Sequence, residues 1–198
     1  MGNTGVMSDH QGLMKKRWWV ALAAVLMQLC LGTVYAWSIF KKPMMEANSW
    51  GETQTQFAFM IYGAVFALAV AFGGNLVDRL GPRIVALTGG ALFSAGVFLG
   101  GLANQLQRIE LLVVAYGLVG GLGGGFGYVT PIATLIRWFP DKRGLVTGLA
   151  VMGYGLGAFF MGNAGPSLIM NLGIPTTFYI WGGASLVVIT ASAFILRN

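Results

Sequence analysis

Side chains capable of ionic or acid–base chemistry are few in this sequence and concentrate in two short segments. Of the 198 residues, 12 are Lys or Arg, 6 are Asp or Glu and 1 is His. The first segment, residues 74–83, carries Asp78, and the second, residues 137–144, carries Asp141; arginines follow both acids closely. Carboxylates beside guanidinium groups form ion pairs, and Asp78 could equally face the positive N-terminus of a following helix. These segments therefore predict ionic contacts.

Catalytic groups are not evident elsewhere in the sequence. The single His10 lies in the N-terminal tail, and no acid clusters with a His or Cys as general acid–base or nucleophilic catalysis requires. The phosphate-binding pattern Gly-x-x-x-x-Gly-Lys-Ser/Thr is missing as well. The lone Cys30 excludes an intramolecular disulfide. We therefore expect no enzyme activity, no cofactor and no metal site.

Long uncharged stretches must position these few charges. Hydrophobic residues make up 56% of the chain and charged residues 9%, against about 25% charged in an ordinary soluble domain. A helix needs about 20 apolar residues to cross a hydrocarbon core of about 30 Å. Six stretches qualify: 18–40, 56–77, 84–103, 111–136, 145–170 and 176–196. The sequence predicts an all-α membrane protein, with an N-terminal tail at 1–17 and a six-helix transmembrane bundle at 18–198.

The basic residues predict an orientation for these spans. Most of the lysines and arginines fall on the side of the membrane that holds the N-terminal tail, whereas Lys41, Lys42 and Arg108 fall on the other. The positive-inside rule then places both termini in the cytoplasm, as in a multi-pass protein of the cell (inner) membrane. The net charge of +6 is thus an orientation signal, and we expect no nucleic-acid partner.

Two further patterns concern helix packing. Aromatic, basic and proline residues end the first span at 37–43 and recur at 138–143, which fits three helices repeated with inverted topology, although such residues flank most membrane helices. The 31 glycines favour closely packed helices. In the fourth span they occupy two faces, and we expect one face to pack while the other exposes backbone or hydroxyl groups. Pro131 predicts a local break there.

The two charged segments also carry a resemblance. Residues 74–83 read Gly-Asn-Leu-Val-Asp-Arg-Leu-Gly-Pro-Arg, which resembles a loop signature of the major facilitator superfamily. Residues 137–144, Arg-Trp-Phe-Pro-Asp-Lys-Arg-Gly, together with Tyr-Ala-Trp-Ser at 35–38, are similar to the oxalate/formate antiporter family within it. The resemblance covers about residues 17–196. It implies one half of the major facilitator fold, a 3+3 inverted repeat, and secondary active transport of a small organic anion by alternating access.

The resemblance implies roles for individual residues. A cytoplasmic gate would comprise Asp78, Arg79, Gly81, Arg83, Asp141 and Arg143, and all of these except Gly81 would form its charge network. The substrate-binding residues would be Tyr35, Gln56, Tyr128 and Tyr154. This chain departs from the oxalate transporter at Val34, where an amide is expected, and at the wholly apolar residues 64–72. These departures favour a monocarboxylate with an apolar tail over a dicarboxylate as polar as oxalate.

Six spans amount to half of such a transporter. The resemblance places the basic residues that neutralise the carboxylate in a second bundle, and no charged residue lies near the midplane of a predicted span here. We expect the partners to be the lipid bilayer, a small carboxylate and a C-terminal six-helix half, in the same or a separate chain. The chain could instead be a fragment, which we favour, or form a parallel homodimer. The alternative functions are a non-transporting membrane scaffold or assembly subunit, or an inactive fragment.

Overall fold

The computed structural model describes the backbone of residues 3–196 and the side chains of residues 16–196. Its regular elements are the helices α1 (Asn3–Gly32), α2 (Trp37–Asn48), α3 (Glu52–Leu80), α4 (Pro82–Gln105), α5 (Ile109–Leu112), α6 (Gly121–Trp138), α7 (Arg143–Leu172) and α8 (Ile174–Ile195). A 3₁₀ turn, Thr33–Ala36, joins α1 to α2, and a π-helical segment, Val113–Gly120, joins α5 to α6. No strand occurs over residues 3–196.

These elements form six helices long and apolar enough to cross a membrane. The first span, Lys16–Asn48, combines most of α1 with α2, and the fourth, Ile109–Trp138, combines α5 with α6. The second, third, fifth and sixth spans are α3, α4, α7 and α8. The prediction of an all-α protein with six membrane-length helices is therefore confirmed.

The turns between spans are shorter than the sequence suggested. Residues 78–83 were expected to form a six-residue connection, but Gly81 alone separates α3 from α4. Its φ of 82° lies in the region that favours glycine, and the Gly173 between α7 and α8 repeats this geometry with a φ of 80°. Asp78 therefore belongs to the last turn of α3, and Arg83 to the first turn of α4.

The packing of the spans has an internal symmetry. The first span packs against the fifth, and the fourth packs against the second. These are equivalent contacts if spans four to six repeat spans one to three. The third and sixth spans, which would be equivalent to each other, pack extensively together. This pairing fits the predicted 3+3 repeat.

Both glycine-rich faces of α6 are packed against neighbouring helices. A Cβ added to Gly123 would lie 2.1 Å from the backbone nitrogen of Phe93 in α4. On another face, a Cβ added to Gly124 would lie 2.2 Å from the hydroxyl of Tyr62 in α3. Helices therefore cover the glycine backbone on both faces, and of the backbone or hydroxyl groups expected to be exposed only the side chain of Tyr128 is partly so.

The helix α6 also runs through Pro131 without the expected break. A single proline in a membrane helix removes one backbone hydrogen bond and is tolerated where neighbouring helices hold the backbone. The hydroxyls of Thr130 and Thr134 are satisfied within the helix by the carbonyls of Phe126 and Thr130, respectively. The irregular part of the fourth span is instead the π-helical segment.

Candidate functional site

Three of the tyrosines singled out by the sequence lie together in the structure. The ring of Tyr154 packs edge-on against Tyr35, with 5.2 Å between ring centroids, and against Tyr128, with 5.0 Å. Phe66 packs against Tyr128 at 5.5 Å and against Tyr154 at 6.4 Å. We call these four residues the aromatic cluster. The first, second, fourth and fifth spans each contribute one ring to it.

A close crossing of α1 and α7 fixes the centre of the aromatic cluster. A Cβ added to Gly32 would lie 1.7 Å from the carbonyl oxygen of Tyr154, so glycine lets the two backbones touch here. The 3₁₀ turn begins directly after Gly32. The hydroxyl of Thr33 donates to the carbonyl of Cys30 and accepts a 2.7 Å hydrogen bond from the indole N–H of Trp181. This turn places Tyr35 beside Tyr154.

Gln28 is a polar neighbour of the aromatic cluster that the predicted site did not include. Its side chain is fully buried, and its Nε2 donates to the carbonyl of Tyr128 over 3.2 Å. Its Oε1 has no hydrogen-bond partner in the part of the chain whose side chains are described. A glutamine in the middle of an apolar span is the sequence signal for such a residue, because burying an amide costs free energy unless the amide forms hydrogen bonds.

Gln56 does not join the aromatic cluster. It lies in α3, ten residues before Phe66, which corresponds to about 15 Å along the helix axis. Its side chain is half-buried near the start of that helix. The structure therefore brings together three of the four residues predicted to bind substrate and leaves the fourth near one end of the bundle.

The aromatic cluster is open on one side of the bundle. Tyr154 is buried at 5% exposure and Tyr128 is half-buried, but Tyr35 is 62% exposed although its ring contacts Tyr154. The cluster offers phenol hydroxyls on rigid apolar rings. It contains no cation, so an anion bound here would need its charge balanced from the open side.

The charged segments form ion pairs within the bundle at one end of the helices. Asp78, in the last turn of α3, pairs with Arg137 at the end of α6. Asp141 pairs with Arg17, whose guanidinium also stacks over the ring of Phe139 at 4.4 Å. The sequence singled out both acids but neither partner, because pairing depends on how the helix ends meet.

The other members of the predicted gate are placed differently. Arg83 donates to the carbonyl of Phe194 over 2.8 Å and lies 5.0 Å from the centroid of that ring, so it joins α4 to α8. Arg79 and Arg143 are exposed, at the end of α3 and the start of α7. Gly81 forms the turn between α3 and α4.

The Arg17–Asp141 ion pair predicts a measurable effect on the pKa of Asp141. The hydrogen bond from Arg17 is the main reason that the pKa of the Asp141 carboxyl lies below its ordinary value. A lowered pKa means that the pair is intact at neutral pH and is lost only as the pH falls through that value. We expect Arg17→Gln to raise the pKa of Asp141 and Arg79→Gln to leave it unchanged, as measured by carboxyl ¹³C NMR. An unchanged pKa in Arg17→Gln would show that this pair does not form.

The bundle has six membrane-length helices, its third and sixth spans pack together, and its charged residues lie at helix ends. This is the architecture of one half of a membrane transporter. The sequence profile of the Major Facilitator Superfamily matches residues 8–198. The chain belongs to the major facilitator superfamily and is a multi-pass integral membrane protein. The family is one of transporters rather than enzymes.

Comparison with individual relatives confirms the narrower resemblance. The chain is 33% identical to the oxalate:formate antiporter of Oxalobacter formigenes over 188 residues, which is 94% of this chain and 44% of the relative. It is 28% identical to the uncharacterized MFS-type transporter YhjX of Escherichia coli (strain K12), with shares of 93% and 45%. It is 29% identical to monocarboxylate transporter 13 of Rattus norvegicus, with shares of 90% and 40%. The chain spans less than half the length of each of these relatives.

Proposed function

We propose that this chain supplies the N-terminal half of a secondary transporter that moves a small monocarboxylate by alternating access. Relatives whose names specify oxalate, formate or monocarboxylate transport support the substrate class. The observation that carries the proposal is the aromatic cluster, in which Tyr35, Tyr128 and Tyr154 from three spans share one site.

The cluster suits the two ends of a monocarboxylate differently. A phenol O–H donates to a carboxylate, and a hydrogen bond to a charged group is stronger than one between neutral groups. The ring of Phe66 and the apolar residues 64–72 around it suit a short hydrocarbon tail. A dicarboxylate would require donors at both ends, which this apolar stretch does not supply.

A second six-helix half, in the same or a separate chain, would complete the site. The exposure of Tyr35 supports this step, because a large aromatic side chain at a binding site is left open on the side that such a half would cover. That half would supply the cation that the aromatic cluster lacks. Gln56, near the start of α3, would contact the substrate as it enters or leaves rather than within the cluster.

We further propose that the charged helix ends act as a cytoplasmic gate, with both termini in the cytoplasm. The two ion pairs hold the ends of the first, second and fourth spans together within this half. Arg79 and Arg143 are exposed and available to the second half, while Arg83 and the turn at Gly81 fix the start of α4. Exposed ion pairs contribute only about 0–1 kcal/mol each, so pairs of Arg79 and Arg143 with the second half would be weak enough to break in every cycle.

Transport by the intact protein, this bundle together with its second half, tests the proposed function. Proteoliposomes would be loaded with unlabelled substrate, and uptake of radiolabelled formate, acetate, pyruvate and oxalate would be measured. We expect saturable uptake of monocarboxylates that exceeds uptake of oxalate. Absence of uptake of any carboxylate would contradict the proposal and favour a scaffold role.

A separate prediction concerns the contribution of the phenol hydroxyls to substrate binding. We expect Tyr128→Phe and Tyr154→Phe each to raise the KM for the carboxylate about tenfold or more, because a hydrogen bond to a charged group contributes about 1.5–3 kcal/mol. Tyr179→Phe is the control: this hydroxyl donates to Gln105 over 2.7 Å and lies outside the aromatic cluster. An unchanged KM in both cluster variants would remove the cluster from the substrate site.

A further inference from the structure

Two adjoining grooves run along the surface between α1 and α8. One has a volume of about 240 Å³ and is lined by Lys16, Trp19, Trp138 and residues at the end of α8. The other has a volume of about 270 Å³ and is almost wholly apolar, with Leu22 and Leu26 on its α1 side. Trp19 and Ile195 line both grooves, so the two are continuous. We call them together the α1–α8 groove.

The polar end of the α1–α8 groove is cationic. Lys16 is exposed and has no ion-pair partner within residues 16–196. Arg83 lies beside the same end, because it contacts the carbonyl and ring of Phe194, a lining residue. Trp19 is 62% exposed there, and tryptophan is favoured where a membrane helix meets the lipid headgroups. An anionic group is the complement of this end.

The apolar end has the dimensions of one membrane leaflet. Lys16 and Leu26 are ten residues apart on one helix, which corresponds to about 15 Å along its axis. That is half of a hydrocarbon core of about 30 Å. The groove therefore places a cation at the headgroup level and apolar walls along the depth of one leaflet.

We propose that the α1–α8 groove binds one anionic phospholipid. The phosphate of the lipid lies against Lys16 and Arg83, and one acyl chain lies along Leu22 and Leu26. Charge complementarity at one end and the continuous apolar wall at the other favour a lipid over a free anion, which has no acyl chain to pack against that wall. They also favour an anionic lipid over a zwitterionic lipid, whose own cation would be repelled by Lys16. This site is separate from the aromatic cluster and does not depend on the proposed transport.

Native mass spectrometry of the purified protein tests the proposal. Equal amounts of phosphatidylglycerol and phosphatidylcholine with the same acyl chains would be added in detergent, and retained lipid counted. We expect phosphatidylglycerol to be retained preferentially, and Lys16→Gln to weaken its binding about fivefold, the effect of one lysine near an anionic lipid surface. The matched control is Lys42→Gln, an exposed lysine in α2.

A second pair of variants tests the acyl-chain end. Ala191→Phe fills the groove and is expected to abolish retention of phosphatidylglycerol, whereas Ala71→Phe, at an exposed position in α3, is expected to leave it unchanged. Circular dichroism checks that both variants are folded. Glycerol 3-phosphate, which has a phosphate but no acyl chain, should not displace the lipid. Equal retention of the two lipids, displacement by glycerol 3-phosphate, or unchanged retention in Lys16→Gln would overturn the proposal.

Discussion

Replacing Gly157 by Ala is expected to separate the first span from the fifth. The added Cβ would lie 2.1 Å from the carbonyl oxygen of Leu29 and 2.8 Å from the backbone nitrogen of Thr33. Both are backbone atoms, which cannot rotate away as a side chain can, so α1 and α7 must move apart. Overpacking that forces the backbone to shift costs about 1–3 kcal/mol, and occasionally more. We expect Gly157→Ala to lower the free energy of unfolding in detergent by that amount.

The same helix offers the control. Gly155 lies two residues earlier in α7, is exposed, and has no atom within 4 Å of an added Cβ. Gly155→Ala is expected to leave the free energy of unfolding unchanged or to raise it by up to about 1 kcal/mol, because alanine is the better helix former. Equal unfolding free energies for the two variants would contradict the close crossing of α1 and α7.

The existence of the six helices could be predicted from sequence, but their ends could not. Membrane thickness sets the length of an apolar stretch, which makes each span visible in the composition. The first span nevertheless continues as α2 through Lys41 and Lys42 to Asn48, well beyond its apolar part. The end of α3 is set by the positive φ of Gly81, a conformational property that hydropathy does not report.

The aromatic cluster and the ion pairs differ in how far sequence could predict them. The resemblance assigned Tyr35, Tyr128 and Tyr154 to one substrate site, and the packing of their spans brings the three rings together. The partners of Asp78 and Asp141 were missed, because arginine side chains are long and several lie near each acid along the chain. Only the relative placement of the helix ends selects between them.

The contacts of the glycines were also beyond sequence reasoning. A period of 3.6 residues shows which glycines of α6 share a face, but it does not show which helix covers that face. The structure places α4 on one face and α3 on another, so helices cover the glycines of both faces. Helix neighbours are set by the three-dimensional packing of the bundle.

Reversing the charge of Asp78 is expected to reduce transport by the intact protein at least about fivefold. The change to Arg would place two guanidinium groups together where Asp78 now pairs with Arg137. Two like charges about 4 Å apart repel by about 1–4 kcal/mol, between the values for water and for a protein surface, and 1.4 kcal/mol is a factor of ten. The repulsion would push the end of α3, which carries Arg79, away from α6 and would displace the turn at Gly81.

The double variant Asp78→Arg with Arg137→Asp separates the pairing from the identity of each residue. It restores opposite charges across the same two helix ends, so we expect uptake to recover to within about threefold of the original. Such a double-mutant cycle measures the coupling between two residues in contact. Glu46→Lys is the control, because Glu46 and Lys42 form an exposed pair within α2 and join no two spans. If uptake stays low in the double variant, the residues act separately and the pair is not part of a gate. Recovery would show that attraction between α3 and α6 is what the transport cycle requires at this end of the bundle.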